Sequence, residues 1–142
     1  MKGIDRAKLV QALRLYLVTD EASLRGRTLI DVVLAAAHGG VTCVQLREKT
    51  LSTRDFVAKA VVLKKALAPF EIPLVINDRM DVALACEAEG VHLGQSDMPP
   101  DLARGMLPNN VFIGWSVENI EHLDHSKALQ AAGCVDLSLI HI

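Results

Sequence analysis

Short apolar runs alternate along the whole chain with longer segments in which apolar residues recur every three or four positions. The short runs are typical of buried strands, and the longer segments are typical of helices packed on a sheet. The predicted strands cover residues 14–19, 41–46, 72–76, 91–93, 111–115 and 134–142. The predicted helices cover residues 28–37, 52–67, 79–88, a short stretch after Pro99-Pro100, and 117–132.

This alternation predicts parallel strands joined by right-handed crossovers, either as a (β/α) barrel or as an open, doubly wound sheet. The first strand-to-helix turn, residues 19–27, lacks the G-x-G-x-x-G pattern of dinucleotide-binding sheets, and polar residues recur at nearly every strand end. We therefore predict an incomplete TIM (β/α)8 barrel of about five to six βα units, with residues 1–142 forming a single partial domain. A complete barrel commonly takes ~200 residues or more, so we expect the last units to be missing.

Composition excludes several classes of partner. A net charge of -2 and 4% aromatic residues offer neither a basic field nor stacking surface for nucleic acid. The charged amino terminus, residues 1–6, and the absence of an apolar run of about 18 residues predict a cytoplasmic protein without a membrane partner. The cysteines, Cys43, Cys86 and Cys134, have no C-x-x-C spacing and are interpreted as buried, reduced thiols.

An incomplete barrel would leave an open sheet edge, and pairing of that edge with a second copy would favour a homo-oligomer.

Three consecutive predicted strands end in groups suited to a magnesium-bound pyrophosphate. Arg47 and Lys49, two positions apart, would project together with Gln45, and such a cationic pair can hold phosphate oxygens. Asp78 and Asp97 follow the next two strands. If the strands are adjacent, these two carboxylates can bind Mg²⁺, which prefers oxygen ligands and keeps substrate phosphates in its shell.

Each of these residues also has a purely structural interpretation. Arg47 could pair with Glu48 or another nearby acid, and Asp78 could cap the following helix. Asp97 could be an acid in a turn, and a hydroxyl at Ser116 would ordinarily cap a helix. His92 lies beside the same strand ends, but a histidine in a strand more often has a structural role, so it is left out of the predicted site.

Five motifs stand in the order found in one family of barrel transferases. They are Tyr16-Leu17-Val18-Thr19-Asp20, Gln45-Leu46-Arg47-Glu48-Lys49, Asn77-Asp78-Arg79, Gly90-Val91-His92-Leu93-Gly94-Gln95 and Ile113-Gly114-Trp115-Ser116. Over roughly residues 16–116 the sequence resembles the thiamine-phosphate synthase (thiamine monophosphate synthase) family. The resemblance implies a Mg²⁺-dependent alkyl transferase of thiamine biosynthesis, which joins hydroxymethylpyrimidine diphosphate to thiazole phosphate and releases pyrophosphate.

The resemblance also implies roles for individual residues. Asp78 and Asp97 would bind Mg²⁺, and Arg47 and Lys49 would act in catalysis by stabilising charge on the leaving pyrophosphate. The implied contacts with the pyrimidine diphosphate are Gln45, Leu46, Arg47, Glu48, Lys49, Asn77 and Ser116. The thiazole phosphate would contact a later Thr- and Lys-bearing loop of the family, which this sequence lacks. Because the residues after Asp136 depart from the family's pattern, the resemblance implies that residues 137–142 are a non-native tail. Two alternatives remain open: a barrel relative similar to thiazole tautomerase, and an inactive half-barrel without catalysis.

Overall fold

The computed structural model describes residues 5–140, and its centre is a sheet of six parallel strands in sequential order. The strands are β1 (Tyr16–Val18), β2 (Cys43–Leu46), β3 (Leu74–Asn77), β4 (Gly90–Leu93), β5 (Phe112–Val117) and β6 (Leu137–Ile140). The helices are α1 (Arg6–Ala12), α2 (Leu29–His38), α3 (Thr53–Leu67), α4 (Met80–Cys86), α5 (Pro100–Met106) and α6 (Ile120–Ala131). Sequential parallel strands with helical crossovers form an incomplete TIM-type barrel, which confirms the predicted fold class.

The two faces of the sheet have separate cores. The outer face packs against the helices through a continuous apolar layer, to which β2, β3, β4 and β5 contribute Val44, Leu46, Leu74, Ile76, Val91, Leu93, Ile113, Trp115 and Val117. A smaller cluster fills the inner face: Leu9, Cys43, Val75, Phe112 and Leu137. Because strand side chains alternate between faces, this division fixes which residues point into the barrel interior.

Helix α1 was absent from the elements predicted from the sequence. Its seven residues include only two large aliphatic side chains, of which Leu9 is buried in the inner cluster, so the helical period is hard to recognise. Asp5 caps the helix by accepting a hydrogen bond from the Ala7 N–H at 3.0 Å. The Thr42 hydroxyl donates to the Ala12 carbonyl at 2.9 Å, which places α1 at the amino ends of the strands.

Three predicted boundaries shift for local reasons. Glu87 adopts a left-handed conformation (φ 55°) and ends α4 before residue 88. Val117 belongs to β5, and α6 starts later because the Asn119 side chain caps it. The last strand begins at Leu137, following a turn at Gly133 (φ 72°), and pairs in parallel register with β5. Residues 137–140 are thus part of the sheet, and the non-native origin expected for residues 137–142 stays a prediction. His141, Ile142 and residues 1–4 lie outside the described residues.

The structure also describes the surroundings of the three cysteines and the lengths of the helices. Cys43 and Cys86 are buried, as predicted, whereas Cys134 is only half-buried, and all three thiols are free. Burial raises the pKa of the Cys43 thiol to about 12. Across residues 5–140, every helix is too short or too polar to cross a membrane.

Candidate active site

The strand ends that carry the predicted site lie side by side. Strand β3 pairs with β2 on one side and with β4 on the other, and the register matches Leu46 with Ile76 and Asn77 with His92. The segments that follow these strands therefore meet at one rim of the half-barrel, at the carboxyl ends of its strands. The predicted adjacency of the three strand ends is confirmed.

Asp78 and Asp97 lie together at this rim. Burial, followed by the charge and hydrogen bonding of Asp97, raises the pKa of Asp78, while Lys49 and Arg79 act in the opposite direction. Asp97 is fixed by the Gly94 N–H, which donates to its Oδ2 at 2.6 Å. No cluster of three or more potential metal-binding side chains occurs in the described part of the chain. Two adjacent carboxylates without a third protein ligand fit Mg²⁺, which usually binds one or two carboxylates plus water and substrate phosphates.

Arg47 and Lys49 lie at the same rim as exposed cations, and the charge of Lys49 acts on Asp78. Within residues 5–140, neither side chain forms an ion pair or a hydrogen bond with another residue. Glu48, the partner considered for Arg47, instead pairs with Lys59 at 2.7 Å, and its side chain is only 5% exposed. The Arg47 N–H donates to the buried Thr19 hydroxyl at 3.1 Å, which anchors this segment to β1. Both cations are thus free to bind an anionic ligand.

Capping accounts for neither Asp78 nor Ser116. The N-cap position of α4 is Arg79, and no side chain caps that helix. Ser116 lies within β5, and the cap of α6 is Asn119. Asp97 does have the turn role considered for it, through its hydrogen bond to Gly94.

A layer of buried polar side chains lies beneath the rim on the inner face. It consists of Gln45, Asn77, His92 and Ser116, each less than a tenth exposed. Gln45 Nε2 donates to the Tyr16 hydroxyl at 2.9 Å, and His92 Nε2 lies 2.9 Å from Ser116 Oγ. Donors and acceptors in such a layer can recognise the edge of a heterocycle.

Two predicted contacts are placed differently from the others. The Leu46 side chain is fully buried in the outer, helix-facing core, so only its backbone can reach a ligand at the mouth. The Glu48 side chain is engaged by Lys59, as described above. Conversely, the prediction omitted His92 and Tyr16. Within their own strands, Tyr16 alternates with Leu17 and His92 alternates with Val91 and Leu93, and these aliphatic neighbours pack in the helix-facing core. This alternation could have indicated that both polar side chains face the interior.

Comparisons with known proteins identify the family that this chain is similar to. Residues 15–136 match the family model described as "Thiamine monophosphate synthase". The thiamine-phosphate synthase of Albidiferax ferrireducens is 68% identical over 84% of this chain, and that of Clostridium novyi is 49% identical over 81%. A solved thiamine phosphate pyrophosphorylase from Pyrococcus furiosus superposes with a TM-score of 0.81 at 33% identity, covering 94% of this chain and 62% of that one.

The chain spans about half the length of the curated relatives it matches, with 55% and 57% of the two named synthases covered. The matched part contains all three strand ends of the rim and the polar layer beneath it. The match to the family model over most of the chain, together with relatives well above 30% identity, shows that this chain belongs to the thiamine monophosphate synthase family.

Proposed function

We propose that this chain carries the pyrimidine diphosphate and magnesium half of a thiamine-phosphate synthase site. One observation carries the proposal: the adjacent carboxylates of Asp78 and Asp97 share a rim with the unpaired cations Arg47 and Lys49. An acid pair and two cations together suit a diphosphate bound with a divalent metal, because the metal needs oxygen ligands and the phosphate oxygens need positive charge.

The proposed reaction transfers the pyrimidinylmethyl group from pyrophosphate to nitrogen. The carbon–oxygen bond of hydroxymethylpyrimidine diphosphate breaks, and its electron pair leaves with the pyrophosphate. The ring nitrogen of the thiazole phosphate supplies the electron pair of the new carbon–nitrogen bond, which gives thiamine phosphate. Arg47 and Lys49 would stabilise the charge that accumulates on the leaving pyrophosphate, the type of electrostatic effect that usually contributes most to catalysis.

The buried polar layer supports a position for the pyrimidine ring. Gln45, Asn77 and Ser116 present amide and hydroxyl groups to the interior below the rim. A ring placed there would have its diphosphate at the level of Arg47 and Lys49. Leu46 and Glu48 would contribute through their backbone groups, since both side chains are otherwise engaged.

Asp78 and Asp97 would hold the magnesium ion between the protein and the diphosphate. The ion would supply positive charge to the leaving oxygens. Burial and, after it, the charge of the adjacent Asp97 carboxylate raise the pKa of Asp78. A cation bound between the two carboxylates would offset their mutual repulsion.

Calorimetric titration with hydroxymethylpyrimidine diphosphate, in Mg²⁺ and in EDTA, tests the proposal on this chain. We expect binding that requires Mg²⁺ and is abolished in Asp78→Ala and in Asp97→Ala. Asp124→Ala is the matched control, because it removes an exposed carboxylate on the outer helix α6. Unchanged Mg²⁺ dependence in either rim variant would remove that residue from the site. Absence of any binding by the wild-type chain would favour an inactive half-barrel.

A further inference from the structure

Asp78 occupies a tight turn that is unusual for a residue with a side chain. Its φ is 65°, and the Arg79 N–H donates to the Asn77 carbonyl at 2.7 Å, so Asp78 is the centre of a three-residue γ-turn. Such left-handed conformations are strained and persist where the surrounding structure holds them. One constraint is the Asp78 N–H itself, which donates to the His92 carbonyl of β4 at 2.8 Å.

The side chain of Asp78 adds a second unfavourable contribution. Its carboxylate lies next to that of Asp97, and two adjacent carboxylates repel each other when both are ionised. Opening the turn would relieve both the backbone strain and the repulsion, because the carboxylate could then swing outward into solvent. Something must therefore prevent the segment after Asp78 from moving.

Arg79 makes contacts that can do this. Its Nη2 donates to Thr53 Oγ1 at 2.8 Å, at the first residue of α3. Its Nε and Nη2 also donate to the two carboxylate oxygens of Asp81, at 2.9 and 2.6 Å. The planar guanidinium thus bridges two helices, a geometry that a lysine ammonium cannot reproduce. On the other side of the turn, Asn77 is fixed within β3.

We propose that Arg79 is a positioning residue for the metal site: by bridging Thr53 and Asp81, it holds the turn that directs the Asp78 carboxylate toward Asp97. The metal-binding part of this role rests on the proposed function. Arg79 need not touch the substrate or the metal. Its charge also favours the ionised form of Asp78 directly, so the test must separate charge from geometry.

Two variants make that separation. Thr53→Val removes the distant acceptor without changing any charge, and Ser52 remains to cap α3. Arg79→Lys keeps the charge but loses the bridge. Arg54→Gln is the control, since it removes a neighbouring cation whose side chain forms no ion pair or hydrogen bond among residues 5–140.

Two measurements apply to each variant: hydrogen exchange of the Asp78 amide in EDTA, and the Mg²⁺ dependence of inorganic pyrophosphate binding by calorimetry. In Thr53→Val and Arg79→Lys we expect several-fold faster exchange and a Mg²⁺ affinity lower by roughly tenfold or more, the usual effect of losing a residue that orients a metal ligand. Arg54→Gln should change neither quantity.

Hydrogen exchange tests the turn, and calorimetry tests the metal site. Unchanged Asp78 exchange in both variants would show that Arg79 does not hold the turn and would overturn the proposal. Faster exchange with wild-type Mg²⁺ affinity would also overturn it, because the turn would then not position a metal ligand. A wild-type chain that binds no Mg²⁺ with pyrophosphate would contradict the proposed function, and with it the metal-binding role, while the exchange rates would still decide whether Arg79 holds the turn.

Discussion

Replacing Gly114 with alanine is expected to destabilise the chain and to disturb the polar layer at the same time. A Cβ atom at this position in β5 would lie 2.5 Å from His92 Nδ1. Normal contact would require the imidazole to withdraw by roughly 1 Å. His92 is only 4% exposed, so it has little free space to enter. Such a shift would also stretch its 2.9 Å contact with Ser116 beyond hydrogen-bonding distance.

The expected free-energy change follows from three contributions. Overpacking costs roughly 1–3 kcal/mol and a lost hydrogen bond about 1 kcal/mol, while replacing a strand glycine by alanine returns about 0.5–1 kcal/mol. The net loss in the free energy of unfolding should be about 1–3 kcal/mol, measured by urea denaturation. Gly105→Ala in α5 is the control, because its added methyl group meets nothing within 4 Å. Equal stability of Gly114→Ala and wild type would refute this packing argument.

Three further expectations concern stability in metal-free buffer. Gly90→Ala should lower the free energy of unfolding by about 1–3 kcal/mol in urea, because its Cβ would lie 2.5 Å from the Phe112 ring. Asp78→Asn should be more stable than wild type at pH 7, because a raised carboxyl pKa in the folded state means that wild type loses stability as the pH rises through that pKa. Urea denaturation at several pH values should show this advantage vanishing below the ordinary pKa of 3.8. Lys59→Met should lose roughly 1–3 kcal/mol by leaving the buried Glu48 carboxylate unpaired, whereas Lys59→Arg should stay close to wild type in the same assay.

The alternation of apolar runs was sufficient to predict the six strands, their parallel order and the rim at which they end. Buried strands have a strong signal because both faces of a parallel sheet are covered. The signal for α1 is weak, since its single buried side chain, Leu9, gives no visible period. Element ends were also missed where a left-handed residue such as Glu87 stops a helix without glycine.

The sequence indicated which residues gather at the rim, but not how their neighbours hold them. Partners elsewhere in the sequence hold these neighbours in place: Lys59 pairs with Glu48, which lies eleven positions earlier, and Arg79 donates to Thr53, which lies 26 positions earlier. No local pattern encodes such contacts. The left-handed turn at Asp78 is likewise invisible in the sequence, because it depends on a hydrogen bond to β4.

The most direct test of the proposed half-site is to locate a divalent ion on the chain. Substoichiometric Mn²⁺, added with inorganic pyrophosphate, broadens the NMR signals of amides close to it. We expect the strongest broadening at Asp78, Gly94 and Asp97, and much weaker broadening at Glu89 and Asp136, which precede their strands at the opposite end of the sheet. Broadening that is absent from the rim, or that is centred on the amino ends of the strands, would contradict a magnesium-dependent diphosphate site at Asp78 and Asp97.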